Sequence, residues 1–344
     1  MTGLEGRPVP RNGSVAVVPK DEGEPGSILD IVEGGPFAGA VPGIIQGLTA
    51  KRKKISPRYF YDAKGSALFE RITQLPEYYL TRSENAIVER TVDAIVRQIV
   101  PQEILELGVG SPTKIRQILD ACPKNEQPRY TAFDIDRGAV SAAVETIGQD
   151  YPGIDARGVV GDFEKHLTLL PQSPGRRLVV FFGSTIGNLD PWPRRRFLAN
   201  IRTLLGPRDR FLLGVDLKKE PNVLEAAYDD AQGVTAEFNR NILSVVNRLV
   251  DANFDPEAFE HQAVWNEADG RIEMHLKAAT RQEILLRAGD VAITVEPGET
   301  IWTESSYKFT RGGAQRMLEE AKMRLDAWYT DSSFGLALAA PDGS

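Results

Sequence analysis

Residues 104–114 read ILELGVGSPTK: an apolar run reaches Glu106 and Leu107, turns at Gly108 and Gly110, and continues to Lys114. A strand that ends in glycines brings backbone close to a ligand, and in an open α/β sheet ligands lie beyond such strand ends. Two later runs have the same form. RYTAFDID ends in Asp134 and Asp136, and DARGVVGDF ends in Asp162 and Phe163. An aspartate in the first position can accept the hydroxyls of a ribose. One beside a phenylalanine can accept the exocyclic amine of an adenine whose face the ring covers. Each acid alone is an ordinary cap or loop residue, but three successive strand ends of this kind point to a nucleoside.

The glycine turn then separates two classes of nucleoside ligand. A dinucleotide site needs a third glycine, G-x-G-x-x-G, and that position is Thr113. Glu106, read as part of the turn, suits a cationic or amino-acid portion better than a pyrophosphate. S-adenosylmethionine carries a sulfonium, an amino acid, a ribose and an adenine, so it fits this set better than NAD.

The elements that must position these residues follow from periodicity. EILELG, RYTAFDID, DARGVVGDF, RRLVVFFGSTIGN and DRFLLGVDL read as strands, with helical patterns such as PTKIRQILDAC between them. That alternation predicts βαβ units and a mostly parallel sheet. TRSENAIVERTVDAIVRQIV predicts a long amphipathic helix before the first of these strands, with Thr81 or Ser83 as its cap. The alternation breaks at NVLEAAYDDAQGVTAEFNRNILSVVNRLV, which is helical, and FEHQAVWNEADGRIEMHLKAATRQEILL reads as antiparallel strands. A last helix and the strands MRLDAWYTD and FGLALAAP complete the sheet, as in the reversed last strand of methyltransferase sheets.

The expected fold is therefore α/β: a Rossmann-like class I methyltransferase sheet, mostly parallel with an antiparallel last strand, and a second α+β substrate-binding lobe. Residues 1–28 read as a disordered tail, 82–217 and 309–344 as the cofactor-binding domain, and 29–81 and 218–308 as the lobe. The basic run Lys51 to Lys54 reads as a solvated helix end.

Composition narrows the class of protein. The chain has 344 residues, a formal net charge of −7, 42% hydrophobic and 26% charged residues. The acidic balance argues against a general nucleic-acid binder. No apolar run reaches the roughly 20 residues needed to span a bilayer, and the N-terminal stretch does not read as a secretory signal. A single cysteine, Cys122, excludes an internal disulfide and agrees with a reducing compartment, so a cytoplasmic location is expected. His166, His261 and His275 lack metal-ligand spacing, so no metal site is expected.

More selective motifs lie outside the glycine turn. YFYDAKGSALFERITQLPEYYLTR, FFGSTIGNLDP, YDDAQGVTAEFNRNIL, RIEMHLKA and TESSYKF together closely resemble the histidine-specific Nα-methyltransferases of ergothioneine biosynthesis. The resemblance runs from about residue 45 to the end. It implies that S-adenosylmethionine trimethylates the α-amine of L-histidine to hercynine, in a monomer whose only partners are small molecules. It places cofactor contacts on Tyr61, Gly108, Lys114, Asp134, Asp162 and Phe163. It places substrate contacts on Tyr78, Gly183, Asn188, Tyr228, Met274, Glu304 and Ser306. GVGSP departs from the GSGTS-like loop expected of the family, so Val109 and Pro112 alter the stiffness of the turn.

The chemistry of these residues agrees with that reading. Tyr61 falls where its phenol would orient the attacking amine, and an ordinary pKa of about 10 makes it a poor base. Phe60, Tyr61, Tyr78 and Tyr79 are candidates for an aromatic wall around a quaternary ammonium. Glu304 and Ser306, two apart on a strand, point to the same side and can meet the N–H and the acceptor nitrogen of an imidazole. Rival readings are a methyltransferase of the same fold acting on another aromatic amino acid or derivative, a nicotinamide-dependent dehydrogenase, and a non-catalytic nucleoside-binding protein.

Overall fold

The computed structural model describes residues 24–32, 37, 39–170, 173 and 175–343. In chain order the elements are β1 (Ile28–Asp30), α1 (Ala40–Thr49), α2 (Ala63–Thr73), α3 (Tyr79–Ile99), β2 (Glu103–Leu107), α4 (Thr113–Ala121), β3 (Arg129–Asp134), α5 (Arg137–Asp150), β4 (Ala156–Val160), β5 (Arg177–Phe181), α6 (Pro191–Leu204) and β6 (Arg210–Asp216). There follow α7 (Pro221–Tyr228), α8 (Val234–Val250), β7 (Phe259–Asn266), β8 (Arg271–Ala278), β9 (Gln282–Leu286), β10 (Val291–Val295), β11 (Thr300–Tyr307), α9 (Arg311–Glu320), β12 (Met323–Thr330) and β13 (Phe334–Pro341).

The central sheet has the order β1-β4-β3-β2-β5-β6-β13-β12. Its strands β1 to β6 pair in parallel, and β13 runs antiparallel to both β6 and β12. This is the mostly parallel sheet with a reversed last strand expected from the sequence. Its inner strands β2 to β6 and β13 are buried on both faces, as strands covered by helices must be, whereas the edge strands β1 and β12 are partly exposed. Alternate residues of β2 supply the two cores: Ile104 faces α3, α4 and α5, whereas Leu105 and Leu107 pack with Phe197, Leu198 and Ile201 of α6.

Two boundaries differ from the sequence reading. Ile28–Asp30 pairs with Gly158, Val159 and Val160 at the sheet edge, although these residues read as the end of a tail and the start of the lobe. Three residues held by edge hydrogen bonds carry no periodicity to read; residues 1–23 of the tail lie outside the described residues. Helix α3 begins at Tyr79, and Tyr78 occupies its cap position without a side-chain bond, so neither Thr81 nor Ser83 is the cap. Tertiary contacts fix this start, because the Tyr79 hydroxyl is bonded to Asp216 at 2.8 and 2.9 Å.

The remaining elements surround the carboxyl ends of the central strands. They include α1, α2, α7 and α8, a three-stranded antiparallel sheet β11-β8-β7 and a ribbon β10-β9. Helix α8 buries Phe238, Ile242, Val245 and Val246 at helical spacing. These side chains join the same core as α3 and the central sheet. Continuity of that core fixes the lobe against the strand ends.

One polar residue sits inside this apolar contact. Glu84 lies on the buried stripe of α3 and is fully inaccessible. Room for it comes from Gly214 on β6, where a Cβ would stand 2.0 Å from Glu84 Oε1. Gly214→Ala is therefore expected to lower stability by about 1–3 kcal/mol through overpacking. Urea unfolding checks this, and an unchanged midpoint would show that Glu84 can move aside.

Candidate active site

Glu84 is the point at which the strand ends meet. Its carboxylate accepts the Gly183 N–H at 3.0 Å (Oε1) and 2.9 Å (Oε2) and pairs with Lys114 Nζ at 3.0 Å. Lys114 follows the glycine turn after β2, and Gly183 follows β5, so one acid from α3 ties two neighbouring loops together. The Lys114 ammonium also lies 5.3 Å from the centre of the Phe182 ring. Sequence reading missed Glu84. Its signal was an acid on the apolar stripe of an amphipathic helix, which marks a partnered charge.

The cofactor half is built from β2, β3 and β4. Gly108 has φ +72°, a conformation that L side chains rarely adopt, and its N–H donates to Phe133 O at 2.9 Å. The next N–H, of Val109, donates to Asp134 Oδ2 at 2.7 Å, while Asp134 Oδ1 accepts the Asp136 N–H at 2.8 Å. Asp134 thus holds the turn, accepts a further backbone bond from Ile135 and keeps acceptor capacity for a ligand. Burial pushes its pKa up to about 6, against the lowering effect of these backbone bonds. Asp136 caps α5 by accepting the Gly138 N–H at 2.8 Å.

At the end of β4, Asp162 Oδ1 accepts the Glu164 N–H at 2.9 Å, and Oδ2 lies 3.2 Å from Lys165 and 3.7 Å from Arg58. Phe163 is half-buried and packs edge-on against Phe181 and Phe197, each with its ring centre 5.5 Å away. One sequence expectation needs correction here. Glu106 lies within β2, not in the turn, and accepts the Tyr130 hydroxyl at 2.6 Å. Pairing with β3 and β5 extends the strand to Leu107, past the acid. Burial raises the Glu106 pKa to about 7.

The substrate half depends on an irregularity in β11. On β8, Ile272, Met274 and Leu276 are buried, and Glu273 and His275 face the other side. Trp302 pairs with His275, yet Glu304 pairs with Met274, so Thr303 is an extra residue in β11. Regular alternation would put Glu304 on the face of Trp302; the bulge turns it to the face of Met274. Ser306 pairs with Ile272 and therefore shares that face with Glu304. The extra residue is anchored inside, since Thr303 Oγ1 donates to Asn239 Oδ1 of α8 at 2.7 Å.

Asn188, just after β5, hydrogen-bonds the Glu304 carboxylate. Burial raises the Glu304 pKa to about 7, and both the Lys308 charge and the Asn188 bond hold it down. Tyr228, at the end of α7, lies 2.7 Å from Ser306 Oγ through its hydroxyl. Tyr78 meets Tyr228 edge-on, with ring centres 6.3 Å apart.

Beneath these hydroxyls lies a buried charge cluster absent from the sequence reading. Lys308 Nζ donates to Ser306 Oγ at 2.8 Å and to Tyr228 Oη at 2.9 Å, and it pairs with Asp216 at 2.8 Å. Asp216 also accepts Tyr79 and Lys219. Lys308 lies within the quoted motif TESSYKF, but no spacing rule pairs it with Asp216 on a distant strand. The three ammonium hydrogens are fully used, so both hydroxyl oxygens act as acceptors toward Lys308. One hydroxyl hydrogen occupies the Tyr228–Ser306 bond, leaving a single one for a ligand.

Tyr61 joins the two halves. It is 38% exposed, and its ring packs edge-on against Phe69 and Phe238. Burial of the phenol, together with the charges of Glu304 and Asp134, pushes its pKa far above the usual tyrosine value. The hydroxyl therefore stays protonated at neutral pH. The next residue, Asp62, accepts Asn241 at 2.9 Å and Gly65 N–H at 2.8 Å and pairs with Arg248, which fixes the chain at Tyr61. Of the other proposed wall aromatics, Phe60 is buried against Phe238 at 4.5 Å, and Tyr79 is committed to Asp216. Both are packing residues and do not line the cleft.

The chain was then compared with known proteins. Residues 41–341 match the family model described as histidine-specific methyltransferase, SAM-dependent. A histidine N-alpha-methyltransferase of Mycolicibacterium smegmatis is 48% identical over 296 residues, which are 85% of this chain and 92% of that protein. Its counterpart in Mycobacterium tuberculosis is 43% identical over 300 residues, 86% of this chain and 93% of that protein. Ergothioneine biosynthesis protein 1 of Schizosaccharomyces pombe is 29% identical over 291 residues, 81% of this chain and 37% of that longer protein.

The charge cluster makes a direct test of the site's electrostatics. Lys308→Met removes the nearest cation from Glu304, so the Glu304 carboxyl should titrate higher than about 7, by roughly 1–3 pH units. Carbon-13 NMR of labelled glutamate reads this midpoint. A midpoint left in place would mean that Lys308 does not act on Glu304.

Proposed function

The chain belongs to the histidine-specific, S-adenosylmethionine-dependent methyltransferases, and from that premise we propose that it methylates the α-amine of L-histidine three times, yielding hercynine, the first step toward ergothioneine. The observation that carries the substrate assignment is the pairing of Glu304 with a single free hydroxyl hydrogen from the Tyr228–Ser306 pair. A neutral imidazole offers one N–H and one bare nitrogen. Glu304 accepts the first, Ser306 donates to the second, and Met274 packs beside the ring. An indole or a phenol does not match both groups, and leaving either unpaired in a buried site is costly.

The donor set also suits the methyl donor. Glu106, Asp134 and Glu304 are buried carboxyls with raised pKa values, and a nearby cation would favour their ionised forms. We assign the ribose to Asp134, the adenine to Asp162 and Phe163, and the amino-acid end to the turn at Gly108 and to Lys114. When bound, S-adenosylmethionine supplies a sulfonium methyl group: the amine nitrogen takes the methyl, the carbon–sulfur bond breaks to release neutral S-adenosylhomocysteine, and one proton leaves the nitrogen per transfer.

The protein's part is positioning. Asn188 holds the carboxylate end through its amide, since the Gly183 N–H is given to Glu84 and the Tyr228 hydroxyl hydrogen to Ser306; Glu304 with Ser306 holds the ring, so the amine lies between them near Tyr61. In the first two transfers the neutral Tyr61 hydroxyl accepts an amine N–H and turns the nitrogen lone pair toward the methyl group; in the third the dimethylated amine has no N–H and is oriented by the surrounding walls. Tyr61 is not the base, since its pKa is raised. Tyr61 and Tyr78 present ring faces that tolerate and attract an increasingly methylated ammonium. Among the described residues, no helix is long and apolar enough to cross a membrane.

Mass spectrometry of the products from L-histidine and S-adenosylmethionine tests the proposal. The expected product carries three added methyl groups; methylation of tyrosine or tryptophan in preference to histidine would overturn the substrate. In kcat/KM against pH, the wild type should show a limb rising through about 7 as Glu304 ionises. Glu304→Gln should abolish that limb and raise KM for histidine by about 10²-fold or more.

Tyr61→Phe should lower kcat by about 10–10²-fold, as loss of one orienting hydrogen bond implies, while calorimetric binding of S-adenosylhomocysteine persists. A variant that binds nothing would make Tyr61 a structural residue.

A further inference from the structure

Behind the β11-β8-β7 sheet, on the face away from Glu304, is a second cavity of about 230 Å³. Lys51, Arg52 and Lys53 line one side of it, and Glu273, His275 and Trp302 the other. It is smaller than the 300–1,000 Å³ of sites for drug-sized ligands, which suits a small metabolite and excludes a nucleotide.

Its charges are unevenly used. Lys53 is paired with Glu299 at 2.5 Å, and Glu273 is paired with Arg271 at 2.7 Å. Lys51 and Arg52 have no ion pair or hydrogen bond among the described residues. Glu273, whose pKa is lowered by Asn266, Arg271 and His275 against the effect of burial, is ionised and faces His275 Nε2 at 3.1 Å. Nε2 therefore carries the hydrogen. Burial lowers the His275 pKa and keeps the ring neutral, so Nδ1 is a bare lone pair. That atom is buried and has no partner among the described residues. The cavity thus offers two uncommitted cations, Lys51 and Arg52, beside the paired Lys53 and Glu299. Its complement is a small oxyanion.

The wall of this cavity is joined to the substrate site. Trp302 Nε1–H donates to the carbonyl oxygen of Glu304 at 2.8 Å. The Trp302 backbone is bonded on both sides to the basic segment, N–H to Lys53 O at 2.9 Å and C=O to Ile55 N–H at 2.9 Å. That segment continues directly to Tyr61. A ligand held by Lys51 and Arg52 would lie against the Trp302 indole, which holds the Glu304 backbone.

We propose that this cavity is an effector site for a small oxyanion, and that its occupancy alters substrate affinity through Trp302. The coupling rests on the assignment of Glu304 to histidine; the binding does not. Two sources share this chemistry, a hydroxycarboxylate and hydrogen phosphate.

Isothermal titration calorimetry of the full chain with L-malate and, separately, inorganic phosphate tests the site. At least one should bind with a Kd below about 1 mM, and Lys51→Ala/Arg52→Ala should weaken it about tenfold or more. Binding of malate alone identifies a carboxylate ligand, and of phosphate alone a phosphate. With the bound probe present, KM for histidine should change at least about twofold, a coupling of about 0.4 kcal/mol or more. Trp302→Phe should remove that change and keep the binding. Absence of binding by both probes, or equal binding by the double variant, overturns the site. Binding with an unchanged KM overturns the coupling, and since calorimetry needs no turnover, failure of the histidine assignment is seen separately.

Discussion

A carboxylate enclosed in an apolar core persists only where charge and hydrogen bonds replace the water it has lost. Glu84 meets that demand with the Gly183 N–H and the Lys114 ammonium, the first in the loop after β5 and the second in the first turn of α4. Removing either partner would leave a buried charge uncompensated, so the loops are held at their distances by the cost of separating them. The glycine turn is then fixed from its other side by Asp134, which takes the Val109 N–H. Gly214 completes the arrangement from β6 by leaving the space that Glu84 fills. The glycine turn is therefore shaped in part by an acid of α3 that pairs with the lysine following it.

The substrate half repeats this logic with the opposite charge. Lys308 is fully buried, and Asp216, Tyr228 and Ser306 satisfy its three hydrogens. Its charge also acts on Glu304, whose pKa burial alone would raise further. One cation thus sets two properties of the site: the direction of the hydroxyl bonds and the ionisation of the acid. Low polarity in the cleft strengthens both effects. Tyr61, close to the acids of both halves, stays neutral for the same reason.

Much of this was legible in the sequence. The order of strands and helices followed from periodicity, and the acids at Asp134 and Asp162 followed from the ends of apolar runs. Other readings failed for identifiable reasons. Glu106 was placed in the turn because strand length cannot be read from an apolar run interrupted by an acid; pairing with β3 and β5 decides it. Phe60 and Tyr79 were candidates for the wall because an aromatic residue carries no mark of which way it faces. Packing on Phe238 and bonding to Asp216 answer that.

The sequence by itself determined the family and the kinds of element, because those depend on local pattern and on motifs that can be read in order. Tertiary structure alone decided which buried charges answer one another. Glu84 with Gly183, and Lys308 with Asp216, are partners separated by many residues whose meeting depends on how the sheet is ordered. It also decided which face Glu304 occupies. A strand alternates with period two, so a single extra residue at Thr303 reverses every side chain after it, and only the register against β8 reveals that residue.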